Sequence, residues 1–188
     1  MNTGLFFGSF NPIHIGHLII ASHIADNSTL NQIWFVVSPQ NPLKPSSTLL
    51  NEHHRLYLVK TAVEGDARFR VSDIEFKLSK PSYTIDTLTY LQEKYPENNF
   101  TVIMGSDSFQ NISKWKHHEL LPKNYSFILY PRPGFTVNDV PQNVQVIAAP
   151  LLEISATSIR RNIREGRSVR YLLPNNVREE IERSGYYK

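Results

Sequence analysis

Short runs of consecutive apolar residues alternate along the chain with segments in which apolar positions recur every three or four residues. Residues 3–7, 32–37, 69–74, 100–104, 125–130 and 144–148 read as strands, apolar on both faces and therefore buried. Residues 17–27, 51–64, 85–94 and 113–121 read as helices, and the last forty residues as two helical pieces separated at Pro174. Asn51 is a good cap for the helix it opens, with Leu56, Val59 and Val63 turning at helical period behind it. Between 38 and 48 the pattern disappears, because Pro39, Pro42 and Pro45 break any regular structure.

Strand alternating with helix predicts right-handed crossover units and an α/β fold. The expected architecture is Rossmann-like: a doubly wound, mainly parallel sheet with helices on both faces and a short helical C-terminal segment. No repeat, linker or low-complexity stretch divides it, so residues 1–188 are expected to form a single domain. In such sheets a ligand sits beyond the carboxyl ends of the strands.

Composition narrows the function classes. An apolar fraction of 40% and a charged fraction of 20% are ordinary for a globular protein. Twenty basic against 17 acidic side chains leave a net charge of +3, too little to argue for a nucleic-acid partner but compatible with anionic small molecules. With no cysteine, disulfides and thiolate chemistry are excluded, which fits a reducing cytoplasm. No apolar run reaches the length of a membrane span, and the first residues enter a strand rather than a signal peptide. No membrane partner is expected, and a homo-oligomer is compatible with the sequence.

The most informative stretch runs from Thr3 to Leu18, where a buried strand ends at Gly8 and a Gly/Ser/Asn/Pro turn leads into a helix. His14 and His17 lie three apart and so share one face of that helix start. Free N–H groups and the positive end of the helix dipole suit a phosphate there. Histidines so spaced can also share a metal, yet no cysteine and no third ligand of recognisable spacing accompany them. Downstream, Ser155 or Thr157 can cap a second helix from which Arg160 projects, a guanidinium fork suited to phosphate oxygens. Arg161, Arg164, Arg167 and Arg170 read as a solvated basic face. Gly105-Ser106-Asp107 ends a buried strand; the glycine permits close approach of a ligand, and the aspartate either faces that ligand or caps the next helix.

Gly8, Phe10, Pro12, His14, Gly16 and His17 resemble the G-x-F-x-P-x-H-x-G-H signature of the nucleotidyltransferase superfamily. Residues 154–160 resemble its I-S-x-T-x-x-R element, and 105–107 its G-[AS]-D element. Within the superfamily the chain is similar to the bacterial nicotinate-nucleotide adenylyltransferases. The string 82–88, Ser-Tyr-Thr-Ile-Asp-Thr-Leu, matches, with Glu75 shortly before it; so do Trp115-Lys116, Arg132-Pro133-Gly134 and the close from Tyr171 to Tyr187.

That resemblance implies adenylyl transfer from ATP to nicotinate mononucleotide, with Mg2+ accompanying ATP and no protein-bound metal. It assigns His14, His17 and Arg160 to catalysis. Gly8, Ser9, Phe10, Lys44, Gly105, Asp107, Ser155 and Thr157 would hold ATP. Thr84, at a helix start, would take the nicotinate carboxylate while Trp115 stacks on the pyridine ring; Tyr83 either lines the site or belongs to the core, and Trp115 too can be read as core. Two positions depart from the family: Asn11 stands where aspartate is usual and is expected to alter the helix start, and Leu43 replaces the histidine of a Pro-His-Lys string, leaving Lys44 as the cation there. Alternatives are the same fold acting on nicotinamide mononucleotide or on phosphopantetheine, a catalytically silent nucleotide-binding module, or a nucleic-acid binder using the arginine cluster.

Overall fold

The computed structural model describes residues 1–40, 49–135, 140–150 and 152–188. Six strands form one sheet: β1 (Asn2–Gly8), β2 (Gln32–Val37), β3 (Phe69–Ser72), β4 (Asn99–Gly105), β5 (Ser126–Tyr130) and β6 (Val144–Val146). Their order is β3-β2-β1-β4-β5-β6 and every pairing is parallel. The helices are α1 (Ile15–Asp26), α2 (Glu52–Val63), α3 (Thr84–Lys94), α4 (Ser106–Gln110), α5 (Leu121–Asn124), α6 (Ala156–Arg164) and α7 (Asn175–Ser184).

The apolar-on-both-faces strands explain the doubly wound form, because adjacent side chains on a strand point to opposite faces. Phe6, Ile33, Phe35, Val37, Ile103 and Ile128 face one side, where they pack with Ala21 and Ile24 of α1, Leu58 and Val59 of α2, Ile159 of α6 and Val177 and Ile181 of α7. Leu5, Trp34, Val36, Val102, Met104 and Leu129 face the other, under Ile85, Leu88 and Leu91 of α3 and Leu121 of α5. Each such side chain contributes about 1.5–3 kcal/mol by leaving water. The fold is thus the expected Rossmann-like one, and α7 supplies the helical C-terminal piece.

One expected helix is absent. Residues 113–121 instead form a 3₁₀ turn (Ile112–Lys114) and further turns, with His117 at a positive φ of 51°. Pro122 lies in the first turn of the following helix, α5, rather than ending one, because its missing N–H costs nothing there. A second helix, α4, follows β4 directly, in a Gly-Ser-Asp stretch too short to show a period. Strand β3 ends earlier than its pattern suggests, giving way to a 3₁₀ turn at Ile74–Lys77 that buries Ile74 and Glu75.

Candidate active site

Strand order reverses between β1 and β4, and there helices leave toward opposite faces and a crevice opens beyond the strand ends. A cavity of about 400 Å³ occupies it, within the range of small-molecule sites. The ends of β1 (Phe6 to Ser9) and β4 (Val102 to Gly105) form its floor, and Ser82 to Ile85 and Lys114 to Lys116 contribute walls. Gly8, Ser9, Tyr83, Thr84, Gly105, Asp107 and Trp115 all lie on it.

The loop from Ser9 to His14 runs beside that cavity. Phe10 has a left-handed φ of 44°, strained for a bulky residue, and burial of its ring against Phe6, Phe35 and His17 offsets the strain. Its side chain therefore belongs to the core. His14 is the residue before α1 and His17 lies in its first turn; the rings stack with centroids 3.7 Å apart. The His14 N–H donates to His17 Nδ1 (3.3 Å), so the proton of a neutral His17 ring sits on Nε2. Burial, with the Arg132 charge adding to it, lowers the His14 imidazole to about 4. His14 is accordingly a neutral donor at pH 7.

Two buried polar atoms of this loop, Ser9 Oγ and His14 Nδ1, have no hydrogen-bond partner among the described residues. Buried polar atoms are nearly always paired, so two without a partner in one loop set it apart from the rest of the interior. Gly16 keeps the imidazole in place: a methyl there would stand 3.1 Å from His14 Cε1 and Nδ1. The histidines and Arg160 do not line the cavity itself but flank it through this loop. Arg160 donates from Nη1 to the Asn11 carbonyl (2.7 Å), which brings residues 149 apart in sequence to the same turn. Ser155 caps α6 through the Ser158 N–H, and Thr157 Oγ1 lies 3.4 Å from Arg160 Nη2. The Asn11 side chain accepts from the Leu50 N–H (3.1 Å), stapling the loop to the chain before α2. Lys44 and Leu43 lie outside the described residues.

Across the cavity α3 begins at Thr84 with no side chain capping it, leaving first-turn N–H groups available to an anion. Tyr83 precedes the helix with the Lys116 ammonium 5.0 Å from its ring centre, and Lys116 is held by Asp86 (2.9 Å). Trp115 is half-buried at the wall, whereas the true core tryptophan is Trp34. Asp107 caps nothing: it lies in the first turn of α4, 3.9 Å from the Arg132 guanidinium. A methyl at Gly105 would collide with the Asp107 carboxylate and crowd Arg132, so the space that this glycine leaves is filled by its own neighbours.

Three charged residues to which the sequence assigned no role belong to this architecture. Arg132 supplies positive potential near His14 and lies across the Tyr130 ring. Arg55 and Glu75 are almost fully buried beneath the loops. For Arg132 the signal was present, a basic residue directly after a buried strand. For Glu75 the only signal was its place just before the 82–88 string, and for Arg55 there was none, since a charged residue on a helix normally reads as surface.

A six-stranded parallel sheet with a histidine-bearing glycine turn at its switch point defines an α/β protein of the nucleotidyltransferase kind. The profile of the cytidylyltransferase-like family matches residues 5–162, and the chain belongs to that family. Named relatives narrow it. The probable nicotinate-nucleotide adenylyltransferase of Cytophaga hutchinsonii is 49% identical, covering 100% of this chain and 98% of its own. The protein of the same name from Flavobacterium johnsoniae is 47% identical over 100% of both. In fold, the Plasmodium falciparum nicotinic acid mononucleotide adenylyltransferase complexed with NaAD superposes with a TM-score of 0.84 at 22% identity, covering 99% of this chain and 97% of that one. Within the broader family the chain is a member of the nicotinate-nucleotide adenylyltransferases.

Proposed function

We propose that the chain joins nicotinate mononucleotide to ATP, giving nicotinate adenine dinucleotide and pyrophosphate. A phosphate oxygen of the mononucleotide bonds to the α-phosphorus of ATP, and the bond from that phosphorus to the oxygen bridging to the β-phosphorus breaks. The nucleophile is a phosphate whose second pKa lies near 6, so at pH 7 it is mostly dianionic and no general base is required. The protein's task is to hold two polyanions together and to meet the charge developing on the α-phosphate and the departing pyrophosphate.

In this reading His14 and His17 donate to α- and β-phosphate oxygens, and Arg160, with Lys44, takes the pyrophosphate side. ATP arrives as its magnesium complex, the cation held by triphosphate oxygens and water. Thr84 and the start of α3 receive the pyridine carboxylate, and Trp115 faces the ring. The carrying observation is the pair of unpartnered buried atoms, Ser9 Oγ and His14 Nδ1, on a loop that also holds Arg160 and borders a cavity ending at a free helix start. The reaction belongs in the cytoplasm, where the chain's lack of cysteine is natural.

The deciding experiment supplies ATP and Mg2+ with either nicotinate or nicotinamide mononucleotide and follows pyrophosphate. An amide in place of the carboxylate turns its NH2 toward backbone donors, at a cost of about 1–3 kcal/mol. The expected kcat/KM preference for nicotinate is therefore roughly 5- to 150-fold. A preference for nicotinamide overturns the substrate assignment, and ATP binding without pyrophosphate release overturns the enzyme.

A further inference from the structure

Two buried ionisable side chains that do not touch each other stand by the cavity, Glu75 on its wall and Arg55 behind the loops; burial raises the Glu75 carboxyl above its usual value. Arg55, on α2, is fully buried, and among the described residues no carboxylate pairs with it. Four of its N–H groups instead donate to main-chain carbonyls: Nε to Leu50 (2.8 Å), Nη1 to Ser9 (2.5 Å) and Ser38 (2.8 Å), and Nη2 to Pro39 (2.9 Å). A guanidinium serving only carbonyls is an expensive cross-tie, since its charge is buried without a counter-ion. What it ties is specific: the loop after β1, the end of β2 and the start of α2. In a planar trans peptide the next N–H points opposite to the carbonyl, so this grip also fixes the direction in which the Phe10 N–H is aimed.

Glu75 is the counterpart on the mononucleotide side. Its carboxyl is 2% exposed and touches no cation among the described residues. Ser82 Oγ (2.7 Å) and Thr87 Oγ1 (3.0 Å) donate to it, and Ser38 lies beside it on the same cavity wall, close enough to favour its ionised form. Ser82 immediately precedes the Tyr83-Thr84 wall, and Thr87 sits in the first turns of α3. Ser38 is therefore the bridge. Its carbonyl accepts from Arg55, its side chain lies beside Glu75 on the cavity wall, and its own N–H donates to the Gly8 carbonyl at the end of β1 (2.9 Å).

We infer that Arg55, Ser38 and Glu75 form one buried positioning element that fixes the polyphosphate loop against the segment Ser82–Thr84, and so sets the alignment of the two substrates. The inference rests on the adenylyl-transfer reading above. None of the three is a catalytic residue here; they act through the loops they hold. Surface ion pairs serve stability cheaply, whereas two buried ionisable groups, neither in a direct ion pair among the described residues and both next to one serine, suit a part whose geometry must be held closely. Each substrate keeps its own contacts when the link is cut, so the loss falls on their mutual placement. Misplacement by about 1 Å can cost up to about a hundredfold in rate.

The test uses the full chain with ATP, Mg2+ and nicotinate mononucleotide. Ser38→Ala removes only the hydroxyl and leaves both groups their remaining partners, so it is the variant most able to fold; Glu75→Ala and Arg55→Lys accompany it, each checked by thermal melting. Expected for Ser38→Ala is a kcat lower by about tenfold, with KM for each substrate within about twofold. The Ser38→Ala/Glu75→Ala double variant is expected to be no slower than Glu75→Ala alone, because both changes remove the same contact. A folded Ser38→Ala protein with kcat within twofold of the parent overturns the proposal, as does multiplicative loss in the double variant. A parent protein that releases no pyrophosphate overturns the underlying reading instead, so the two failures are told apart.

Discussion

Protonating His14 should weaken the fold in a defined pH window. The imidazole is 6% exposed, and its burial near the Arg132 charge lowers it from 6.5 to about 4. In the unfolded chain the same group takes a proton near 6.5, so between pH 6.5 and 4 the unfolded state binds more protons than the folded one. Stability is therefore complete above about pH 6.5 and falls with pH through the window, levelling off below 4. At 1.36 kcal/mol per pH unit the loss comes to about 3 kcal/mol, a large part of a typical folding free energy. Urea unfolding of the parent and of His14→Gln at pH steps from 7.5 to 4 isolates this one group, because other titrations are common to both proteins. The difference between the two curves should shift by about 3 kcal/mol across the window and stay flat above pH 7. Parallel curves, or an imidazole proton resonance of His14 with a midpoint near 6.5, would refute the reasoning.

Two further variants bear on the same loop. His17→Ala removes a donor aimed at polyphosphate, and kcat should fall by about 10²–10³ while the melting temperature barely moves; near-parental pyrophosphate release would remove His17 from the mechanism. Gly16→Ala adds a methyl 3.1 Å from His14. Alanine's helix preference of about 1 kcal/mol offsets the crowding, so stability should change little while kcat drops about tenfold; equal kcat at equal stability would show that the His14 position is not critical.

Much of the architecture was legible in the residues because strand and helix announce themselves through local periodicity. Runs such as Phe100 to Met104 are apolar on both faces, so only a doubly covered parallel sheet can bury them. The histidine pair was legible for the same reason, since three-residue spacing and a glycine turn are local facts. Residues 113–121 misled because a positive φ at His117 and a proline that lies in the first turn of a helix rather than ending it leave little trace in periodicity.

What the chain dictated by itself, then, was the order of its elements and the two imidazoles at the start of α1. Packing alone decided that Arg160 would reach the carbonyl of Asn11, that the Phe10 ring would serve the core, and that Arg55 and Glu75 would be interior. Charge carries no sign of depth in a sequence: a guanidinium on a helix reads as solvated until neighbouring strands supply the carbonyls that let it leave water.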